Sequence, residues 1–215
     1  MGARHASYLL PYARAHRRRA RGAKSLLWVE RHDQTVRFDA LVRYCPMAGL
    51  RVLDVGSGPA DLLAFLHKRG LRPAHYIGLE AQRWLVDAAR RRRYDACTIV
   101  QADFVRQPET LDVGADVVVF SGSLNLLPSR LFYRSLARAW AVTRRWLAFN
   151  FLSSPDLTAD RWLHWHRPAA VVAFARALPG VAALSTIEGY ESGDRTIVMR
   201  KTRSPRVGSK TGQDP

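Results

Sequence analysis

One glycine-containing segment constrains the fold of this chain more than any other. Val52, Leu53 and Val55 form an apolar run that predicts a buried parallel strand. Gly56 and Gly58 follow directly and allow a tight turn with close approach of a ligand. A segment with helical apolar spacing comes next, so a strand, a glycine turn and a helix N-terminus occur in succession. This arrangement predicts a site for a nucleotide-sized ligand above the helix N-terminus.

Acidic residues around the turn indicate which ligand it suits. The dinucleotide-binding fingerprint has a third glycine where this chain has Asp61, whose charge would repel a pyrophosphate. Asp54, two residues before the first glycine, suits a cationic aminoacyl group. Two later predicted strands are also followed by acids: Glu80 is placed to accept both hydroxyls of a ribose, and Asp103 with Phe104 suits an adenine. An NAD-dependent oxidoreductase is therefore disfavoured.

These residues resemble the class I S-adenosylmethionine-dependent methyltransferases, whose first motif is an apolar strand, an acid and Gly-x-Gly. The resemblance covers roughly residues 50–201 and includes a fourth apolar strand at 115–121. It implies that the chain is an enzyme, with S-adenosylmethionine as its cofactor and methyl transfer as its reaction. The implied cofactor-binding residues are Asp54, Gly56, Gly58, Glu80, Asp103, Phe104 and Ser121.

From residue 50 onward, predicted strands alternate with predicted helices, which specifies a parallel sheet covered on both faces. We predict a Rossmann-like, doubly wound α/β sheet of seven strands. It is mostly parallel, and its last strand is antiparallel because only a short turn precedes it. The strands are expected near 51–55, 75–79, 97–101, 115–121, 145–151, 182–188 and 195–200. The helices are expected near 60–69, 81–92, 129–143 and 168–178.

The sequence outside the sheet pattern divides the chain into three parts. Residues 1–48 contain several aromatic side chains and, in their second half, helical periodicity with Trp28 and Phe38 as packing residues. We predict that this part is a helical lid. Residues 49–201 form the methyltransferase domain that the resemblance implies. Residues 202–215, rich in Ser, Gly, Pro and cations, are expected to be a disordered basic tail.

The net charge of +16 raises nucleic acid or an anionic membrane as a partner. A cationic cluster at 17–24 would supply the contacts, although a solvated helix face is the commoner use of such a cluster. Nearly all the cations are arginine, a skew that GC-rich coding produces. No apolar stretch is long enough to span a membrane, and the first thirty residues are too charged for a secretory signal, which predicts a cytoplasmic protein. Cys45 and Cys97 lack the spacing of a metal site or a disulfide framework.

The methyl acceptor is less constrained by the sequence than the cofactor. After the fourth strand the chain reads Ser-Gly-Ser-Leu-Asn over residues 121–125, without the Asn/Asp-Pro-Pro-aromatic motif of enzymes that methylate adenine N6 or amide nitrogen. Neither cysteine is placed for covalent methylation of a base. The catalytic candidates are Asn150, inside the fifth predicted strand, and His164 and His166. The two histidines form an i,i+2 pair without a confirmed acidic ligand nearby, so no metal site is predicted.

We therefore predict S-adenosylmethionine-dependent methyl transfer to an unassigned acceptor, with a small molecule favoured over nucleic acid. One alternative is an RNA or protein methyltransferase that grips its substrate with the basic N-terminal segment. Another is a cofactor-binding module without catalysis. The sequence identifies neither the acceptor atom nor a general base, and it does not predict the oligomeric state.

Overall fold

The computed structural model describes residues 7–17, 31–158 and 162–202. Its strands are β1 (Arg51–Val55), β2 (His75–Glu80), β3 (Cys97–Gln101), β4 (Val117–Phe120), β5 (Trp146–Leu152), β6 (Val181–Ile187) and β7 (Asp194–Lys201). Its helices are α1 (Leu10–Arg17), α2 (Arg31–Tyr44), α3 (Asp61–Lys68), α4 (Arg83–Arg91), α5 (Ser129–Val142) and α6 (Pro168–Ala177). The strands, and the helices from α3 onward, begin and end within two residues of the predicted bounds.

The seven strands form one sheet in the order β3-β2-β1-β4-β5-β7-β6. Strands β1 to β5 pair in parallel, and β7 lies antiparallel between β5 and β6. The predicted Rossmann-like, mostly parallel sheet is therefore confirmed. The strand order reverses between β1 and β4, and in sheets of this kind ligands bind beyond the carboxyl ends of the strands at that point.

Helices on both faces bury the sheet, which explains why its central strands are apolar throughout. All four residues of β4 are buried. Alternate residues of β1 point to opposite faces: Leu53 packs in one core layer with Phe132 of α5, and Val52 packs in the other with Leu66 of α3. The sheet edge that carries the strand ends is thus held rigidly from both sides.

Two helices before the sheet belong to the predicted N-terminal part. The side chains of Phe38 and Leu41 in α2 are buried in the second core layer, as their periodicity predicts. Arg37 of α2 forms a buried ion pair with Asp194 at the start of β7. This ion pair therefore links α2, in the N-terminal part, to β7 of the sheet.

Several sequence predictions fall outside the residues that the structure describes. They concern Trp28, most of the cationic cluster at 17–24, of which only Arg17 is described, and the tail beyond Thr202. Across the described ranges, no helix combines the length and the apolar character that crossing a membrane requires.

Candidate active site

A cavity of about 400 Å³ lies at the carboxyl ends of the central strands. It collects residues from the ends of β1, β2 and β4 and from the loop after β3, as expected beside a switch in strand order. Its wall includes all seven residues that the resemblance implies for cofactor binding: Asp54, Gly56, Gly58, Glu80, Asp103, Phe104 and Ser121.

The turn after β1 shows why glycine occupies positions 56 and 58. Gly56 has a φ of 76°, and a Cβ atom there would lie 2.3 Å from the Cβ of Ser123. Gly58 has a φ of 55°, and its amide N–H donates a hydrogen bond of 3.0 Å to Glu80 Oε2. Ala60 is also left-handed, with a φ of 63°. The turn therefore packs directly against the loop after β4 and the end of β2.

Asp54 and Glu80 are buried carboxyls on the cavity wall. The hydroxyl of Tyr76 donates a 2.5 Å hydrogen bond to Asp54 Oδ2, and the amide of Gln82 donates one of 2.7 Å to Glu80 Oε1. Burial raises the pKa of Asp54 to about 7, and the nearby charge of Glu80 adds to the rise while the Tyr76 hydrogen bond opposes it. Burial likewise raises the pKa of Glu80 to about 7 against the backbone hydrogen bonds of Gln82 and Gly58. A ligand that brings positive charge and hydroxyl donors would favour both ionised forms.

Asp103 and Phe104 follow β3 on another side of the cavity. The hydroxyl of Tyr8 donates a bifurcated hydrogen bond to Asp103, with the two carboxylate oxygens 2.8 Å and 2.7 Å away. Its Oδ1 also accepts the amide of Val105 at 3.1 Å, which fixes the turn. Phe104 packs edge-on against Phe120, with ring centroids 5.6 Å apart. An acid and an aromatic face are thus held together where the sequence predicts the adenine.

The N-terminal residues cover one side of the cavity. Tyr8, Leu9 and Tyr12 contribute to its wall, and we call these three residues the roof. At the end of α1, His16 stacks on Trp84 of α4, with centroids 4.6 Å apart and planes 10° from parallel. The roof is therefore attached to the sheet domain by the Tyr8–Asp103 hydrogen bond and by this ring contact.

Asn150 does not line the cavity and instead braces the turn after β4. Its side chain is buried in β5, and its Oδ1 accepts the amide of Gly122 at 2.7 Å. Its Nδ2 lies 3.5 Å from the hydroxyl oxygen of Ser121, which does line the cavity. A buried amide between two phenylalanines needs such partners. Asn150 thus acts on the wall only through the turn.

His164 and His166 also lie off the cavity wall, in a segment that we call the strap, residues 162–167. The amide of His164 donates to Asn125 O at 2.8 Å, and the amide of His166 donates to the last carbonyl of β5 at 2.9 Å. The His166 ring stacks on Phe132, with centroids 3.8 Å apart. Burial and, to a smaller extent, the neighbouring His164 lower the pKa of His166 to about 4. A neutral, stacked ring of this kind packs the strap onto α5.

No group of three or more metal-ligating side chains occurs within the ranges that the structure describes. Another part of the cavity wall comes from segments far apart in the chain and was not predicted. Four leucines form an apolar surface that we call the leucine wall: Leu126, Leu127, Leu152 and Leu163. Four further residues from distant segments also line the cavity: Arg37, Phe38, Glu191 and Ser192. No local pattern separates such leucines from those of the core.

A family model described as a methyltransferase domain matches residues 52–145, the segment that holds the glycine turn, both buried carboxyls and the loop after β4. Residues 52–145 therefore form a methyltransferase domain, and the predicted resemblance to the class I S-adenosylmethionine-dependent methyltransferases is confirmed. S-adenosylmethionine is therefore the cofactor of this methyltransferase. No curated protein matches the sequence at a significant level.

Solved structures share the fold of this methyltransferase. Magnesium protoporphyrin IX methyltransferase from Synechocystis PCC 6803, with bound SAH, is 14% identical with a TM-score of 0.60, over 94% of this chain and 90% of that chain. An O-methyltransferase family protein from Burkholderia thailandensis is 16% identical with a TM-score of 0.67, over 90% and 62%. A SAM-dependent methyltransferase from Archaeoglobus fulgidus is 14% identical with a TM-score of 0.61, over 91% and 100%. At these identities the likeness shows the fold.

The cavity of this methyltransferase fits its cofactor chemically. Two buried carboxyls, Asp54 and Glu80, suit a ligand that carries a sulfonium, an ammonium and a ribose. The buried hydroxyl of Ser57 also lines the cavity and has no hydrogen-bond partner among the described residues, so a polar group is available to a ligand. A Cβ atom at Gly78 would lie 2.6 Å from this hydroxyl, so the absence of a side chain there makes room for it.

Proposed function

We propose that this methyltransferase transfers the methyl group to a small molecule that lies inside the cavity beside the cofactor. The proposal rests on one observation: residues of the roof and of the strap cover the cavity. Tyr8, Leu9 and Tyr12 cover one side, and Leu163 of the strap contributes to another. An acceptor has to fit between these covers, which favours a small molecule over a nucleic acid or a folded protein. The Synechocystis relative, by its name, also acts on a small molecule, magnesium protoporphyrin IX.

The proposal gives the cofactor-binding residues the following roles. Asp54 receives the ammonium group, and Glu80 accepts both ribose hydroxyls. Asp103 and Phe104 hold the adenine. The glycine turn and Ser121 frame the methionine part. The bound cofactor supplies a methyl group that is already activated, so the main task of the protein is to align the acceptor with that methyl.

The remaining wall favours an acceptor with an apolar body. The leucine wall and Phe38 offer apolar surface, and the charge of Arg37 is compensated by Asp194. Glu191, a partly buried carboxylate on this side, is placed to take a proton from the acceptor. We further propose that residues 1–48 act as a lid, that residues 49–201 form the methyltransferase domain, and that the enzyme works in the cytoplasm.

Methyl transfer from labelled cofactor into total RNA, protein extract and a small-metabolite fraction, run in parallel, tests this proposal. We expect label in the metabolite fraction, and much less of it with a Glu80→Ala variant at a cofactor concentration that does not saturate the variant. Label that enters RNA and is lost when the cationic cluster at 17–24 is neutralised would favour the RNA enzyme instead. RNA binding by that cluster would also weaken steeply with salt, with a log–log slope of roughly −0.7 per neutralised phosphate. Tight cofactor binding without transfer to any fraction would indicate a non-catalytic module.

A further inference from the structure

Asn125 stands apart from the other polar residues of the loop after β4. Its backbone is fixed from two sides, because its N–H donates to Gly122 O at 3.3 Å and its carbonyl accepts the amide of His164 at 2.8 Å. Its side chain is only 9% exposed and lines the cavity. Nevertheless its Oδ1 has no hydrogen-bond partner within the described part of the chain. A firmly placed, buried acceptor atom is thus left unused by the protein.

The neighbouring polar groups of this loop are already engaged. The hydroxyl of Ser123 donates to Val55 O at 2.5 Å, and the amide of Gly122 donates to Asn150 Oδ1. The hydroxyl oxygen of Ser121 lies 3.5 Å from Asn150 Nδ2. The loop therefore uses its serines and Gly122 to fix its own conformation, whereas Asn125 Oδ1 is left without a hydrogen-bond partner among the described residues.

The surroundings of Asn125 increase the effect of this unused acceptor. Leu126 and Leu127, the next two residues, belong to the leucine wall and are almost fully buried. A buried amide oxygen without a partner costs free energy, and a hydrogen bond made in apolar surroundings is stronger than one in water. A ligand that brings a donor to Oδ1 removes the cost, whereas a ligand of the same shape without a donor does not.

We propose that Asn125 is a specificity-determining residue that recognises a hydroxyl or N–H group of the methyl acceptor. This inference rests on the proposed function and adds the substrate class to it. The class is a molecule without negative charge whose apolar body packs on the leucine wall and whose donor group reaches Asn125 Oδ1. It differs from a purely apolar acceptor in having the donor, and from an anionic one because the described wall offers no uncompensated cation beside Asn125.

The test uses 2-naphthol and two probes without a donor, 2-methoxynaphthalene, which keeps the oxygen but adds a methyl group, and naphthalene, which adds no bulk. Binding of each to the full chain saturated with S-adenosylhomocysteine is measured by calorimetry, so no turnover interferes. The parent should bind 2-naphthol about three- to tenfold more tightly than the other two, the ratio for one hydrogen bond between neutral groups. Asn125→Leu, which keeps the shape, should lose this preference. Asn125→Asp keeps an oxygen acceptor and should restore the preference.

Three results would overturn the inference: equal binding of all three probes by the parent, a preference that persists in Asn125→Leu, or no binding of any probe. Unchanged affinity of each variant for S-adenosylhomocysteine shows that the cavity is still folded, and Asn125→Asp supplies the comparison if the leucine variant unfolds. Failure of the proposed function is recognised separately, because labelled methyl groups would then enter RNA or protein whatever the naphthol result.

Discussion

Tyr76 on β2 donates a 2.5 Å hydrogen bond to Asp54 on β1, although the strand register pairs Asp54 with Gly78. Both side chains are buried, so the neighbouring strand fixes the orientation of this carboxyl before any ligand arrives. The glycine at the paired position leaves room for the turn after β1 to fold over the carboxyl. The carboxyl is thus preorganised by the sheet itself.

Replacing Tyr76 by Phe should weaken cofactor binding about tenfold, the lower end of the range for one hydrogen bond to a charged group. The hydrogen bond lowers the pKa of Asp54, so its loss should also move the pH dependence of binding to higher pH. Calorimetric titration with S-adenosylhomocysteine between pH 6 and 8.5 measures both effects. The control is Tyr94→Phe, the same substitution at a tyrosine other than the one that donates to Asp54. An unchanged affinity and pH profile in Tyr76→Phe would show that Asp54 needs no support.

Cofactor affinity should rise as the pH increases from about 6 to 8. Burial raises the pKa values of both Asp54 and Glu80 to about 7, and the ionised forms are the ones that accept ligand donors. In the cofactor-free protein the same shifts lower stability as the pH rises from about 4, the unfolded value, through 7. Glu80→Gln should flatten part of the binding profile, and Asp54→Asn should flatten the other part. A profile that neither variant alters would refute this account.

Glu80→Ala should weaken cofactor binding by about 1.5–3 kcal/mol, because it removes the proposed acceptor of both ribose hydroxyls. The same substitution releases the amides of Gly58 and Gln82, so Glu80→Gln provides a milder comparison that keeps an oxygen acceptor. Calorimetry with S-adenosylhomocysteine measures both variants. Binding of Glu80→Ala as tight as that of the parent would contradict the ribose assignment.

His166 should make the protein less stable in mild acid. Burial lowers its pKa to about 4, below the value of about 6.5 in an unfolded chain. Its contribution to the free energy of unfolding is therefore complete above pH 6.5 and is lost as the pH falls towards 4, by about 3 kcal/mol at most. In His166→Phe, which keeps a ring against Phe132, this loss should disappear. Denaturant unfolding of both proteins at several pH values gives the difference, and a constant difference would exclude His166 as the cause.

Tyr8→Phe should loosen the roof. The substitution removes the bifurcated hydrogen bond to Asp103 but keeps the ring, so the release rate of S-adenosylhomocysteine should increase about tenfold with little change in global unfolding. Stopped-flow displacement measures the rate. Tyr12→Phe, at another tyrosine of the roof, is the matched control and should release the product at the parent rate. Equal rates in all three proteins would argue against a roof held by Tyr8.

The sequence predicted the cofactor side of the cavity more completely than the acceptor side, for physical reasons. A parallel strand buried on both faces has to be an apolar run, and a turn such as that at Gly56 needs glycine, so these elements are visible locally. Leu163 and Glu191 reach the cavity only through the packing of the strap and of the turn before β7. An imidazole such as that of His166 can act as a base, but here the ring is packed like a core side chain. Only its contact with Phe132 reveals this packing. The roles of the cofactor-binding residues and of the catalytic candidates stay predictions.

The two sides of the cavity are also built from different parts of the fold: strand ends on one side and mostly connecting segments on the other. The residues proposed for the cofactor stand at the ends of strands whose pairing holds the sheet together, so few changes are tolerated there. The leucine wall and Asn125 belong mostly to connecting segments, and the strap among them is attached partly through backbone hydrogen bonds, which most changes of side chain leave intact. This enzyme can therefore acquire a new acceptor by exchanging side chains in its connections, while the origin of the methyl group stays the same.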